Sequence, residues 1–257
     1  MNYYERALEL KEEIIANRRY FHTNAEVGLD MPKAKAYVMK QLESYGIQPK
    51  ECGHGVVATL GKGGKCILLR ADMDALPMPE ESGEEFACKT GDKAHACGHD
   101  FHAAMLLAAA KMLKETEDSL DGTVKLMFQP AEEIGQGAKP FIAAGVLDGA
   151  ERVFGLHTAH DLKAGTVGLK PGLNNAAVDH FRIEVHGKST HVSTPHLGTD
   201  ALYIASQIVV AVQGLVTRMT SPTEPVIIGI GCLNAGTTYN AVAEHAVMEG
   251  TTRTVSQ

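Results

Sequence analysis

Apolar positions recur at helical spacing near the N-terminus and contract into short runs farther on. From about Tyr3 to Phe21, Leu8, Ile14 and Ile15 share one face, which predicts a helix. A second helix is expected over Ala34–Tyr45, with Asp30 as its N-cap, Pro32 in the first turn and Gly46 as its stop. Val56–Leu60 and Cys66–Leu69 are apolar runs either side of Gly61-Lys62-Gly63-Gly64, a hairpin signal. Strands expected at Val124–Phe128 and Val153–Leu156 then alternate with helices at Phe101–Lys114 and Ile134–Ala144, the second stopped by Gly145. Strand and helix in alternation predict an α/β sheet.

The pattern changes near Asn174-Asn175. Phe181, Ile183 and Val185 alternate with Arg182, Glu184 and His186, as in a half-buried strand. A helix over Asp200–Met219 and strands at Pro225–Cys232 and Ala241–Met248 complete a smaller α+β unit with one face exposed. The expected domains are therefore 1–174 and 175–257.

Composition narrows the function classes. The chain has 257 residues, 44% hydrophobic and 21% charged, enough for one large domain or two. A net charge of -7 with no Lys/Arg run argues against a nucleic-acid partner. No Trp and 5% aromatics argue against a base-stacking surface. Five scattered cysteines (Cys52, Cys66, Cys88, Cys97, Cys232) suit a reducing compartment better than a disulfide framework. The charged N-terminus MNYYERALELKEEI does not read as a signal peptide, and no run approaches the ~20 apolar residues of a span. A cytoplasmic protein without a membrane partner is expected.

The candidate chemistry lies at the ends of the expected strands. His95-Ala96-Cys97-Gly98-His99-Asp100 places a thiol and two imidazoles within five residues, donors that zinc-like ions prefer. Gly98 allows a tight loop that turns Cys97 and His99 toward one point. Glu132 and Glu133 follow Phe128-Gln129-Pro130-Ala131. On an extended segment they would point to opposite sides, one toward a metal and one free as a general base. A solvated surface pair is the alternative. Asp72 and Asp74 would share one face of an extended segment, a costly arrangement unless a cation or donors lie between them. His157 ends a third strand after Gly155-Leu156. His102, about one turn along the helix after His99, is placed to steady a ligand, and His160 reads as loop decoration.

Taken in order, RADMDALP, HACGHDFHAAMLLAAA, FQPAEE, GLH, GKSTHVSTPHLGTDAL and AGTTYNAVAEHAVMEGTTR resemble the aminoacylase/carboxypeptidase family of metal-dependent amidohydrolases, essentially over the whole chain. Relatives include hippurate hydrolase, N-acyl-amino-acid amidohydrolases and auxin-conjugate hydrolases. The resemblance implies a catalytic α/β domain with an inserted lid that often mediates homodimerisation. It implies one or two divalent ions (zinc, manganese, cobalt or nickel) held by Cys97, His99, Glu133 and His157, with Glu132 as general base. Asp72 and Asp74 match a pair read as site-organising or catalytic. His191 matches a lid histidine that polarises the scissile carbonyl, and Asn240 and Arg253 match lid positions near the substrate. The implied reaction hydrolyses the amide bond of an N-acyl amino acid or short peptide.

Family members run substantially longer than this chain, and the part beyond Gln257 would carry one further ligand histidine, which His245 does not match. The expectation is a fragment of a longer protein, with a non-catalytic interaction or dimerisation module as the alternative. Asn240-Ala241-Val242-Ala243 stands where Asn-Val-Ile-Pro is usual, and Thr158-Ala159-His160-Asp161 follows His157 where a proline is common nearby.

Overall fold

The computed structural model describes residues 1–256. They form two compact units, Met1–Lys163 and Ala164–Gln257, a division that falls before the Asn174-Asn175 boundary expected from sequence.

In the first unit, helices α1 (Tyr3–Glu9), α2 (Lys11–Thr23) and α3 (Pro32–Ser44) precede strands β1 (Lys50–Cys52), β2 (Gly55–Gly61) and β3 (Cys66–Asp72). Helix α4 (His99–Glu115), strand β4 (Thr123–Gln129), helix α5 (Ala138–Ala143) and strand β5 (Ala150–Gly155) follow. The sheet order is β1-β2-β4-β3-β5. Strand β3 runs parallel to β4 and β5, whereas β2 is antiparallel to β4. Val38, Leu42, Leu106 and Leu107 from α3 and α4 pack on Val56, Leu60, Leu126 and Phe128 of one sheet face. Phe141 of α5 packs with Cys52, Leu68 and Met127 on the other. Helices on both faces explain why the inner strands read as apolar runs rather than as an alternation.

Several expectations change in this unit. The first helix is two, broken at Leu10 (φ -82°, ψ 3°). Asp30 does not cap α3. The Glu26 carboxylate instead accepts from Lys33 N (3.2 Å) and Ala34 N (2.9 Å), doing from a distance what a local cap does. Gly46 stops α3 as expected. At φ +76° it donates to Glu43 O, while Ile47 N reaches back to Leu42 O, a Schellman closure with Leu42 and Ile47 both buried. The hairpin does not form, because β4 lies between β2 and β3. Four linking residues can reach ~13 Å, enough to step over one strand to a neighbour ~9.6 Å away.

In the second unit, β6 (Ala177–His186), β8 (His245–Thr254) and β7 (Val226–Ala235) form an antiparallel sheet in the order β6-β8-β7. Helix α6 (Ala201–Gly214) covers one face, where Ala201 and Ala205 pack on Ala243, Ala246 and Met248. Asp200 caps it, accepting from Tyr203 N at 3.0 Å. The helix continues as a π turn to Met219. Contrary to the sequence expectation, Ala201–Met219 is long and apolar enough by composition to cross a membrane (19 residues, mean hydropathy 1.3). Its apolar character runs all round: Ala201 and Ala205 face the sheet while Leu202 and Val210 are exposed.

Candidate metal centre

The C-terminal ends of the three parallel strands bring the functional loops together. Asp72, the last residue of β3, is in register with Gln129 of β4, and Arg70 with Gly155 of β5. The chain then leaves each strand into Met73–Ala75, Pro130–Gly137 and Leu156–Thr158, and α4 begins against them at His99. Hydrogen bonds tie the loops to one another. Glu133 N donates to Asp74 Oδ2 (3.1 Å), and Thr158 Oγ1 donates to Cys97 O (3.0 Å). Gly98 sits at the cap of α4 with φ +89°, and a Cβ there would lie 2.3 Å from Thr158 Oγ1. Only glycine admits both the dihedral and the contact.

His99 is fully buried, on the first turn of α4 rather than in a loop. Its Nδ1 lies 3.3 Å from Asp74 Oδ1, so the Nδ1–H donates and the Nε2 lone pair is left bare. That Nε2 has no hydrogen-bond partner in the protein. It faces Asp72 Oδ2 at 3.7 Å, Glu133 Oε1 at 3.8 Å and Glu132 Oε2 at 3.9 Å. Burial lowers the pKa of His99, but Asp74, Asp72 and Glu133 raise it on balance, so the site favours positive charge at this nitrogen, supplied by a proton or by a cation between the carboxylates.

Beside it, Cys97 Sγ is 3.3 Å from His157 Nε2. His157 Nδ1 donates to Thr158 O at 2.7 Å, which turns the lone pair of Nε2 toward Cys97 Sγ. Burial, and then the carboxylates of Glu133, Glu132 and Asp72, push the Cys97 thiol up to about 12. Coordination to a cation reverses that sign, because it favours the thiolate outright. The donor atoms form two overlapping groups, Cys97/His99/His157 and His99/Glu132/Glu133, each within 4.8 Å. Sulfur, imidazole and carboxylate in this mixture suit zinc-like divalent ions.

The glutamates depart from the expected geometry. They do not point to opposite sides; both reach His99 Nε2. Ala131 takes a left-handed φ of 51°, and Gly135 N and Gly137 N donate back to Glu132 O and Ala131 O. The segment is therefore a closed turn, and the period-2 argument for extended chain does not apply.

Behind these donors, Asp72 accepts from His102 Nδ1 (2.6 Å) and Arg70 Nη1 (2.7 Å). Burial alone would raise its pKa, but His102, Arg70 and His99 bring it down to about 2. His102 Nε2 accepts from Thr158 N at 2.9 Å, so both of its ring nitrogens are committed and neither is free for a metal. His95 is buried and held neutral, its pKa lowered to about 4 chiefly by burial. Sequence reasoning missed Arg18 and His22 of α2, which each reach Asp100 Oδ2 at 2.7 Å and brace the start of α4. No local spacing links α2 to Asp100, so only their charge offered a signal.

His191 and Asn240, both in the second unit, meet there. His191 bridges Ala241, and Val192 N donates to Asn240 O at 3.1 Å. Ser193 N donates to His191 Nδ1 at 3.2 Å, which places the ring proton on Nε2. Arg253 stands apart from this pair, near the far end of β8 and ~26 Å of strand beyond His245. Its guanidinium donates to Thr251 Oγ1 (2.6 Å) and Thr252 O (2.8 Å).

The sequence model of Peptidase family M20/M25/M40 matches residues 68–249. The chain is similar to N-acetyl-L-cysteine deacetylase of Bacillus subtilis (strain 168), 45% identical over 249 residues, covering 95% of this chain and 60% of that protein. It is also similar to thermostable carboxypeptidase 2 of Saccharolobus solfataricus, 40% identical, covering 97% and 65%. Among solved structures, a Bacillus subtilis protein described as a dinuclear metal-binding peptidase aligns with a TM-score of 0.77 at 34% identity, covering 96% of this chain and 65% of that one. The chain thus spans 60–65% of the length of these relatives.

Proposed function

The chain belongs to peptidase family M20/M25/M40, and from that premise we propose that it carries the metal centre of a hydrolase that cleaves the amide bond of an N-acyl amino acid or short peptide. The observation that carries this reading is the bare Nε2 of buried His99, facing Glu132 and Glu133 beside the Cys97–His157 pair. Cys97, His99, Glu133 and His157 would hold one or two divalent ions. An ion bound there supplies Lewis-acid polarisation of the scissile carbonyl and acidifies a water.

Glu132 is the proposed general base. Its side chain is 41% exposed against 25% for Glu133, so its carboxylate is the more open of the two to water. It takes the proton of the attacking water and passes it to the leaving nitrogen as the C–N bond breaks, giving a carboxylic acid and a free amine. Asp72 and Asp74 serve in this reading as positioning residues, since both are buried and spend their oxygens on Arg70, His102, His99 and Glu133 N. The second unit is proposed as a lid that pairs with a second copy of the chain. Its His191, with Nε2–H free to donate, would steady the carbonyl oxygen, and Asn240 and Arg253 would contact the substrate. Names of relatives that denote deacetylation and carboxypeptidase action support the substrate class. A purely interacting module is the less favoured reading, because it gives the converging donors nothing to hold.

The test combines metal content with turnover. Protein purified without chelator is expected to retain a divalent ion and to hydrolyse N-acetyl and hippuryl amino acids when Zn²⁺ or Mn²⁺ is added. Glu132→Gln should keep the metal and lose turnover by ~10²–10⁴-fold. Hydrolysis by Glu132→Gln at the parent rate would overturn the assignment of the base, and metal-free protein the centre itself.

A further inference from the structure

Outside the candidate centre, the described residues hold one more convergence of metal-type donors. His186 ends β6 and stands directly opposite His245, the first residue of β8. Their ring centroids are 4.9 Å apart. Glu184, two residues before His186, shares its sheet face. This is the face away from α6, because Ile183, Val185, Ala246 and Met248 turn toward that helix instead.

The three side chains aim at one another. Glu184 Oε2 lies 3.5 Å from His186 Nε2 and 3.8 Å from His245 Nε2. Both separations exceed an ordinary N–H···O hydrogen bond, so the carboxylate does not fully satisfy either ring. The other oxygen, Oε1, is already held by Arg182 at 2.8 Å, which fixes the carboxylate with Oε2 toward the imidazoles. All three donor atoms fall within 4.8 Å of one another.

We propose that Glu184, His186 and His245 form a second metal site, for a zinc-type divalent ion. Two imidazoles and one carboxylate oxygen match the ligand preferences of Zn²⁺, Ni²⁺ and Cu²⁺. They offer too few oxygens for Ca²⁺ and no reason for Mg²⁺ to shed its water. The strand register sets the imidazole pair, and three exposed side chains can close on an ion by small rotamer changes. The remaining coordination positions face solvent and would be filled by water. The site shares no residue with Cys97, His99, Glu132, Glu133 or His157, and does not depend on the reading of that centre.

The experiment is a Zn²⁺ titration of the chain followed by NMR on the histidine ring protons. His186 and His245 are expected to shift together and saturate with one equivalent of Zn²⁺ beyond what the centre at His99 takes up, and Mg²⁺ to leave both unmoved. In His186→Gln the response of His245 should be lost. In His180→Gln, which changes another exposed histidine of the same strand, it should persist. Unmoved His186 and His245 signals in millimolar Zn²⁺ would overturn the site, as would an equal response to Mg²⁺ or a full His245 response in His186→Gln. Because the parent chain is itself read residue by residue, the result stands even if a variant folds poorly.

Discussion

His99 divides its two nitrogens between two tasks. Asp74 takes the proton on Nδ1, and the lone pair on Nε2 is thereby aimed at the carboxylates of Asp72, Glu132 and Glu133. Asp74 also holds Glu133 N, so one buried carboxylate sets both the tautomer of His99 and the backbone of Glu133. Asp74→Asn keeps the shape and removes the charge. Its metal affinity, measured against a competing chelator, should fall by ~10–100-fold; an unchanged affinity would show that Asp74 does not orient the ligand. That these residues converge was legible in sequence, because Cys97 and His99 flank a glycine and the glutamates adjoin an apolar run. The tautomer was not, because it depends on Asp74, which lies 25 positions away in the chain.

The turn over Ala131–Gly137 shows the same limit at the scale of an element. Sequence placed Glu132 and Glu133 after a strand, but its extended-chain rule separated them. Ala131 reverses the backbone and brings both to one nitrogen. Gly137 is where this turn tolerates no side chain: a Cβ there would sit 1.5 Å from Pro130 O. Gly137→Ala must displace backbone, and should cost ~1–3 kcal/mol in urea unfolding and weaken metal binding with it. Gly135→Ala meets no atom within 4 Å and carries only the strain of φ +64°, about 1–2 kcal/mol. Metal binding weakened as much by Gly135→Ala as by Gly137→Ala would sink this account of the turn. Strand pairing was equally hidden: β2 and β3 each looked like half of a hairpin, and nothing local announces that β4 inserts between them.

For the whole of the first unit, helices far apart in sequence are joined by charge as well as by apolar packing. Burial alone would raise the carboxyl of Glu13 on α2. Its contacts with Lys111 of α4 and with the hydroxyl of Tyr45 outweigh that and hold it below its ordinary value. A group with a depressed folded pKa adds stability above its unfolded value and loses it as pH falls through the folded one. Glu13→Gln should therefore flatten the part of the thermal-stability profile lying below about pH 4.5 and leave the slope near neutrality alone. Parallel profiles for parent and variant from pH 3 to 7 would contradict this link. By itself the sequence determined much of what depends on near neighbours: the helical stretches of α3, α4 and α6, the glycine stops of α3 and α5, the alternation of β6, and the residue types able to hold a metal, though the helix expected from Ile134 begins only at Ala138. Only the tertiary structure decided what depends on distant neighbours: the strand order, the remote cap that Glu26 gives α3, and the side-chain directions at the centre. Backbone dihedrals and side-chain period are local properties, whereas a hydrogen bond or a shared cation joins whichever residues the packed chain brings within a few ångströms.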